Sequence, residues 1–169
     1  MIKTRPNVAN DQQNPPTPAG KRLYLAYGSN MDNDQMALRC PGAIKLRICR
    51  LEGYRFITNT DGLATLIPCQ EAMVQGVLWA ITPRHEQALD QYEGVDHNLY
   101  LKNTVPVSDA EGKKYEALVY LAGNAKPGRA NRPYLLKIIK AATDHHLPME
   151  YVLDLIFWLR RDAPICTLT

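Results

Sequence analysis

A chain of 169 residues, 46% hydrophobic and 22% charged, is long enough for one well-packed domain and too short for two comfortable ones. Its formal net charge of +3 is scattered along the sequence, which argues against a dedicated nucleic-acid binder, and the apolar run VLDLIFWL near the C-terminus is far too short to span a bilayer. The four cysteines, Cys40, Cys49, Cys69 and Cys166, show no C-x-x-C spacing and read as free or buried thiols of a reducing compartment, not as a zinc site or a disulfide framework.

Residues 1–20, MIKTRPNVANDQQNPPTPAG, hold Pro, Asn and Gln but no apolar block. They are expected to form a disordered lead-in without a secretory signal, followed by one domain over residues 21–169 of a cytoplasmic protein. The first ordered element expected is a strand at Arg22–Ala26 that runs straight into Tyr27-Gly28-Ser29-Asn30, with a short helix over about residues 32–39. AIKLRICR alternates Ile44, Leu46 and Ile48 against Lys45, Arg47 and Cys49, the period of a half-buried strand. YRFITN, ATLIP and VQGVLWAI read as further, separate strands divided by Gly, Asn, Asp and Pro.

Thr82-Pro83 is a helix start, with Thr82 as N-cap and Pro83 at the first helical position. Ala88, Leu89 and Tyr92 would face inward, and Gly94 would end the helix after Glu93 in the left-handed conformation. LYLKNTVPV and YEALVYLA flank a turn at residues 109–113. Helices are then expected at about 133–146, with Leu135, Ile138, Ile139 and Ala142 at helical spacing, and at 149–161. Strands in the middle and helices at the end predict an α+β fold, with a mostly antiparallel sheet that could close into a barrel.

Two short stretches carry candidate chemistry. Where a strand ends on small residues before a helix, successive N–H groups can converge on a carboxylate or phosphate, and Ser29 adds a hydroxyl; a plain tight turn explains the same residues. Glu93 sits at a helix C-terminus, against the dipole and between Asp90 and Asp96. If buried, its charged form is disfavoured and it moves toward the range of a general base; if solvated, it is an ordinary helix-end residue. Tyrosine outnumbers phenylalanine nine to two, and Tyr24, Tyr27, Tyr92, Tyr100, Tyr134 and Tyr151 are candidates to line a pocket or simply to sit at the core edge. His145-His146 is better explained as a cationic helix end than as a metal ligand.

Taken in order, YLAYGSNM, GLATLIP, VQGVLWAIT, LDQYEGVDHNLYLKNTVPV and RPYLLKIIKAATDHHLPMEYV resemble the gamma-glutamylcyclotransferase family over residues 22–153. The resemblance implies a small mixed, mostly antiparallel β-barrel with peripheral helices. It implies conversion of a γ-glutamyl amide to 5-oxoproline and a free amine, with no metal or organic cofactor. Glu93 matches the family's catalytic glutamate, and Tyr27, Gly28, Ser29 and Asn30 match its substrate-binding loop. Tyr134 is similar to a pocket tyrosine, and Tyr100, with Tyr24, is assigned to substrate binding. The partner implied is a small γ-glutamyl compound, with no nucleic acid and no membrane, for a monomer or homodimer.

Within that frame, γ-glutamyl-lysine isopeptides and γ-glutamyl-protected natural products are rival substrates, and the leaving-group wall is expected around Arg55, Asn59 and residues 126–132. The rival of another class is a non-catalytic module that binds a small carboxylate. The enzyme readings all expect Glu93 to face residues 27–30 across a cavity, whereas a pure binder of an anion gains nothing from that carboxylate.

Overall fold

From residue 17 to residue 160, the span that the computed structural model describes, the chain forms five strands and four α-helices. They are β1 (Arg22–Ala26), α1 (Asn33–Arg39), β2 (Ile44–Thr58), β3 (Ala64–Ile81), α2 (Pro83–Glu93), β4 (Tyr100–Ser108), β5 (Lys114–Ala122), α3 (Arg132–Asp144) and α4 (Met149–Arg160), with 3₁₀ turns at Ser29–Met31 and Val95–His97. The polar lead-in as far as residue 16, and Cys166, lie outside the described residues. No described helix is long and apolar enough to cross a membrane.

The strands close a barrel in the order β1-β3-β2-β4-β5. Every pairing is antiparallel except that of β1 with β5, which is parallel and seals the ring. This is the mixed α+β barrel that the resemblance implies. The position of β1 between two neighbours explains its composition. Leu23, Tyr24, Leu25 and Ala26 are all buried, because a strand covered on both faces reads as an apolar run instead of alternating. Each leucine buried this way is worth about 1.5–3 kcal/mol.

The sequence suggests several short strands between residues 44 and 81; the structure has two long ones. β2 and β3 remain paired from Ile44↔Ala80 to Thr58↔Ala64, across an irregularity between Glu52↔Met73 and Tyr54↔Pro68. Gly53, at φ +78°, lies at this break, so glycine and proline bend the hairpin without ending either strand.

A second irregularity corrects the expected inward face of β2. Lys45 pairs with Trp79 and Arg47 with Leu78, which leaves Leu46 as an extra residue. A one-residue slip reverses which side chains face the core. Past the bulge the buried residues are Cys49 and Leu51, while Ile44 is exposed and Leu46 and Ile48 are only half-buried. Arg47, on the same face as Cys49, reaches Asp109 at 2.8 Å and Tyr115 at 2.6 Å beside the β4–β5 turn.

The helices begin and end where their caps dictate. Thr82 and His85 form a reciprocal capping box at the start of α2, and Gly94 closes the helix at φ +65°. Leu89 is the buried residue of α2; Ala88 is half-buried and Tyr92 turns outward, contrary to the sequence reading. In α3 the buried stripe is Leu135, Ile138, Ala141 and Ala142, with Ile139 at its edge.

Candidate active site

Two connections bring the site together: β1 into α1, and α2 into β4. After Ala26 the chain turns through the 3₁₀ segment, held by Met31 N–H to the Gly28 carbonyl at 3.0 Å and Asp32 N–H to the Ser29 carbonyl at 3.1 Å. Asp32 caps α1 through the backbone N–H of Gln35 at 2.8 Å. The short helix that follows returns Arg39 to the turn it started from. Arg39 donates to Oδ1 of Asn30, to Oγ of Ser29 at 3.3 Å and to Oε1 of Gln35 at 2.5 Å. Its guanidinium lies over the ring of Tyr92, 3.4 Å from the centroid, which accounts for the outward turn of that tyrosine.

Asn30 is fully committed. With Arg39 on its oxygen, its Nδ2 donates to Glu93 Oε1 at 2.9 Å and to the Tyr24 hydroxyl at 2.8 Å. The last residue of α2 and the turn after β1 are therefore in direct contact. Gly94 favours this placement: its φ of +65° is the left-handed conformation that glycine adopts without a Cβ penalty, and it turns the chain sharply from Glu93 toward β4.

All eight residues assigned to the site from sequence line one recess: Tyr24, Tyr27, Gly28, Ser29, Asn30, Glu93, Tyr100 and Tyr134. The recess itself is about 20 Å³, room for a single small group. It adjoins a vestibule of about 340 Å³ that shares Ser29, Glu93, Tyr100 and Tyr134 with it. A glutamyl-sized ligand therefore fits only with its body in the vestibule and one polar end in the recess. Tyr100 donates to the Ala64 carbonyl at 2.8 Å, and Tyr27 to the Tyr120 carbonyl. Tyr134 is set on the first turn of α3 by its N–H to the Asn131 side chain at 3.1 Å. A Cβ on Gly28 would sit 3.5 Å from the Tyr134 hydroxyl, so a larger residue there would narrow the space between turn and tyrosine.

Burial pushes the carboxyl of Glu93 up to about 7, with Arg39 and the Asn30 hydrogen bond pulling the other way. The sequence reading anticipated the direction but assigned part of the cause to Asp90 and Asp96. Asp90 is instead held by Lys102 at 2.8 Å and by the Tyr120 hydroxyl at 2.7 Å, and Asp96 is exposed. Burial also raises the phenols of Tyr24 and Tyr27 well above the usual range, and that of Tyr134 to about 12. These tyrosines are neutral hydrogen-bonding walls; the group that titrates near neutrality is Glu93.

A family profile described as "AIG2-like family" matches residues 73–155. Gamma-glutamylcyclotransferases of Mus musculus and Homo sapiens are each 30% identical to this chain over 139 residues, covering 76% of it and 74% of theirs. The chain belongs to the gamma-glutamylcyclotransferase family. A solved structure titled "Gamma-glutamyl cyclotransferase" superposes on this family member with a TM-score of 0.76 at 27% identity, covering 88% of this chain and 92% of that one.

Three features of the site are absent from the sequence reading. Arg39 occupies the last turn of a seven-residue helix, and its i,i+4 spacing from Gln35 is the only local hint of its role. Ala64 and Tyr120 complete the recess from β3 and β5, which only barrel closure brings near β1. Of the residues expected at the leaving-group wall, Asn59 lines the vestibule; Arg55 does not, and lies with Tyr151 in a separate groove of about 480 Å³ against α4. The loop over residues 126–132 meets the barrel through the Asn59↔Pro127 bridge and does not line the vestibule. His145 ends α3 as expected, but it is buried and its Nε2 lies 2.6 Å from the Met31 carbonyl, tying that helix to the 3₁₀ turn.

Proposed function

We propose that this protein converts a γ-glutamyl amide to 5-oxoproline and a free amine, with Glu93 as general acid and base. The observation that carries the reading is the contact of Glu93 with Asn30 at 2.9 Å: a half-buried carboxyl near pKa 7, aimed at the turn of residues 27–30. In the reaction the substrate's α-nitrogen bonds to its own γ-carbonyl carbon, and the bond from that carbon to the amide nitrogen breaks. No water is consumed. Closing a five-membered ring within one molecule removes most of the entropic barrier once the glutamyl chain is folded back.

What such a reaction needs from the protein is proton handling. The α-amine is an ammonium ion near neutral pH and cannot attack until it loses a proton. Glu93, ionised above about pH 7, takes that proton and returns it to the departing nitrogen. Positioned transfer of this kind contributes about 10²–10⁴-fold. The turn of residues 27–30 holds the charged end of the glutamyl group, while Tyr24, Tyr27, Tyr100 and Tyr134 exclude water from the ring-closing atoms. A pure carboxylate binder would gain nothing from a second carboxylate in its cavity, which favours catalysis over binding alone.

The test is Glu93→Gln, which keeps the shape of the side chain and removes its basicity. Release of 5-oxoproline from γ-glutamyl-alanine should fall by about 10²–10⁴-fold while the protein stays folded. Turnover close to that of the unmodified protein would remove Glu93 from the reaction.

A further inference from the structure

Ring closure beside Glu93, where the recess opens into the vestibule, leaves the departing amine against the part of the vestibule wall that the recess does not share, and that wall has a chemistry of its own. Asn59, Asp61 and Asn124 form one edge, and Leu63 and Leu99 supply apolar surface. Among the described residues no lysine or arginine lines it.

Asp61 is exposed, yet it is held in place. Its backbone N–H donates to Asn59 Oδ1 at 3.0 Å, and its Oδ2 accepts from Asn124 Nδ2 at 2.8 Å. Asn59 is locked in turn: its Oδ1 also takes the Leu63 N–H at 3.0 Å, and its Nδ2 donates to the Asn124 carbonyl at 3.0 Å. Neither asparagine brings a charge. Arg39, the cation behind the 27–30 turn, is spent on Asn30, Ser29 and Gln35 and covered by Tyr92.

Resting on the cyclotransferase reading above, we infer that the vestibule wall of Asn59, Asp61, Leu63, Leu99 and Asn124 is the leaving-group subsite and that Asp61 selects γ-glutamyl amides whose departing amine carries a second, cationic end. An alkyl diamine fits this wall: its methylenes pack on Leu63 and Leu99 and its far ammonium meets Asp61. A leaving group that ends in a carboxylate meets a like charge with no cation among the lining residues to offset it.

Three amides of equal length test this: N-pentyl, N-(4-aminobutyl) and N-(3-carboxypropyl) γ-glutamyl amide, which end in a methyl, an ammonium and a carboxylate. At low salt kcat/KM for 5-oxoproline release should rank cationic above neutral above anionic, by about two- to fivefold per step, as expected for an ion pair at an exposed site. The spread should shrink as salt is raised, because exposed charges are screened. Asp61→Asn should bring the three values toward one another, and Asp61→Lys should reverse their order. Should either variant fail to fold, the salt dependence of the unmodified protein's ranking decides. Product from all three amides without a charge preference, or with the anionic one favoured, overturns the selectivity and leaves the cyclotransferase reading standing. No product from any of them while γ-glutamyl-alanine is turned over also overturns the selectivity, and no product from γ-glutamyl-alanine either overturns both.

Discussion

Arg39 and Glu93 act on opposite ends of one amide: the guanidinium donates to Oδ1 of Asn30, and the carboxylate accepts from its Nδ2 at 2.9 Å. The arginine therefore decides which way the Asn30 side chain faces, and through it both the hydrogen bond and part of the electrostatic field at Glu93. Burial raises the Glu93 carboxyl, and these two neighbours limit the rise. A base useful near neutral pH emerges from that opposition.

Replacing Arg39 with methionine removes the opposing charge and frees the amide to turn. Glu93 then rises further, so the acid limb of kcat/KM should move up by about one pH unit. The loss should be largest near pH 6 and partly recovered near pH 9. Arg39→Lys keeps the charge but cannot bond Asn30, Ser29 and Gln35 at once; its limb should stay close to the unmodified one while kcat falls. A pH-independent loss in both variants would mean that Arg39 acts only on the fold.

Stability should carry the same signature. Glu93 has a folded value of about 7 against 4.5 for an unperturbed glutamate, so between these pH values the folded chain holds a proton that the unfolded chain has released. Its favourable contribution is complete below about pH 4.5 and is lost as pH rises through 7, a change of about 3 kcal/mol. Glu93→Gln should thus be more stable than the unmodified protein at pH 8, by up to that amount, and equally stable near pH 4.5. Urea unfolding at the two pH values measures this, and an equal difference at both would contradict it.

Gly76→Ala probes the strand that leads into the turn of residues 27–30. A Cβ on Gly76 would lie 2.5 Å from the Ala26 carbonyl oxygen, and backbone cannot swing aside as a side-chain tip can. Unfolding free energy should drop by about 2–4 kcal/mol, and because Ala26 precedes Tyr27, turnover should drop with it.

His145→Leu separates anchoring from chemistry. It removes the contact with the Met31 carbonyl at 2.6 Å, at a cost of about 1–3 kcal/mol for a buried polar group left without that partner. Loosening the 3₁₀ turn should raise KM more than it lowers kcat, since Glu93 and its pH limb are untouched. Steady-state kinetics at several pH values would show a moved limb if His145 acted on the proton transfer instead.

Elements whose signals lie within a few residues of one another were legible in the sequence. Thr82-Pro83 and Gly94 bracket α2, and the 109–113 turn joins β4 to β5, because capping and turn chemistry are local. The 27–30 turn, Glu93 and the tyrosines are candidates from their residue types alone, and the resemblance chooses the site reading over the plain one; Ala64 and Tyr120 carry no such signal. Where two strands must agree, the local pattern misled. The extra residue at Leu46 exchanges the faces of β2, and Gly53 bends the β2–β3 hairpin where a break was expected. Both depend on what a partner strand offers, which alternation within one strand cannot encode.

By itself the sequence determined the caps, the lengths of the helices, the apolar character of β1 and the presence of a Tyr-Gly-Ser-Asn turn and a Glu-Gly helix end. Only the tertiary structure decided that Arg39 would clamp Asn30, that Glu93 would be half-buried against it, and that Asp61 would stand at the vestibule. The reason is that a side chain's charge state and partners are set by neighbours brought close through barrel closure, across separations in the chain that no local pattern spans.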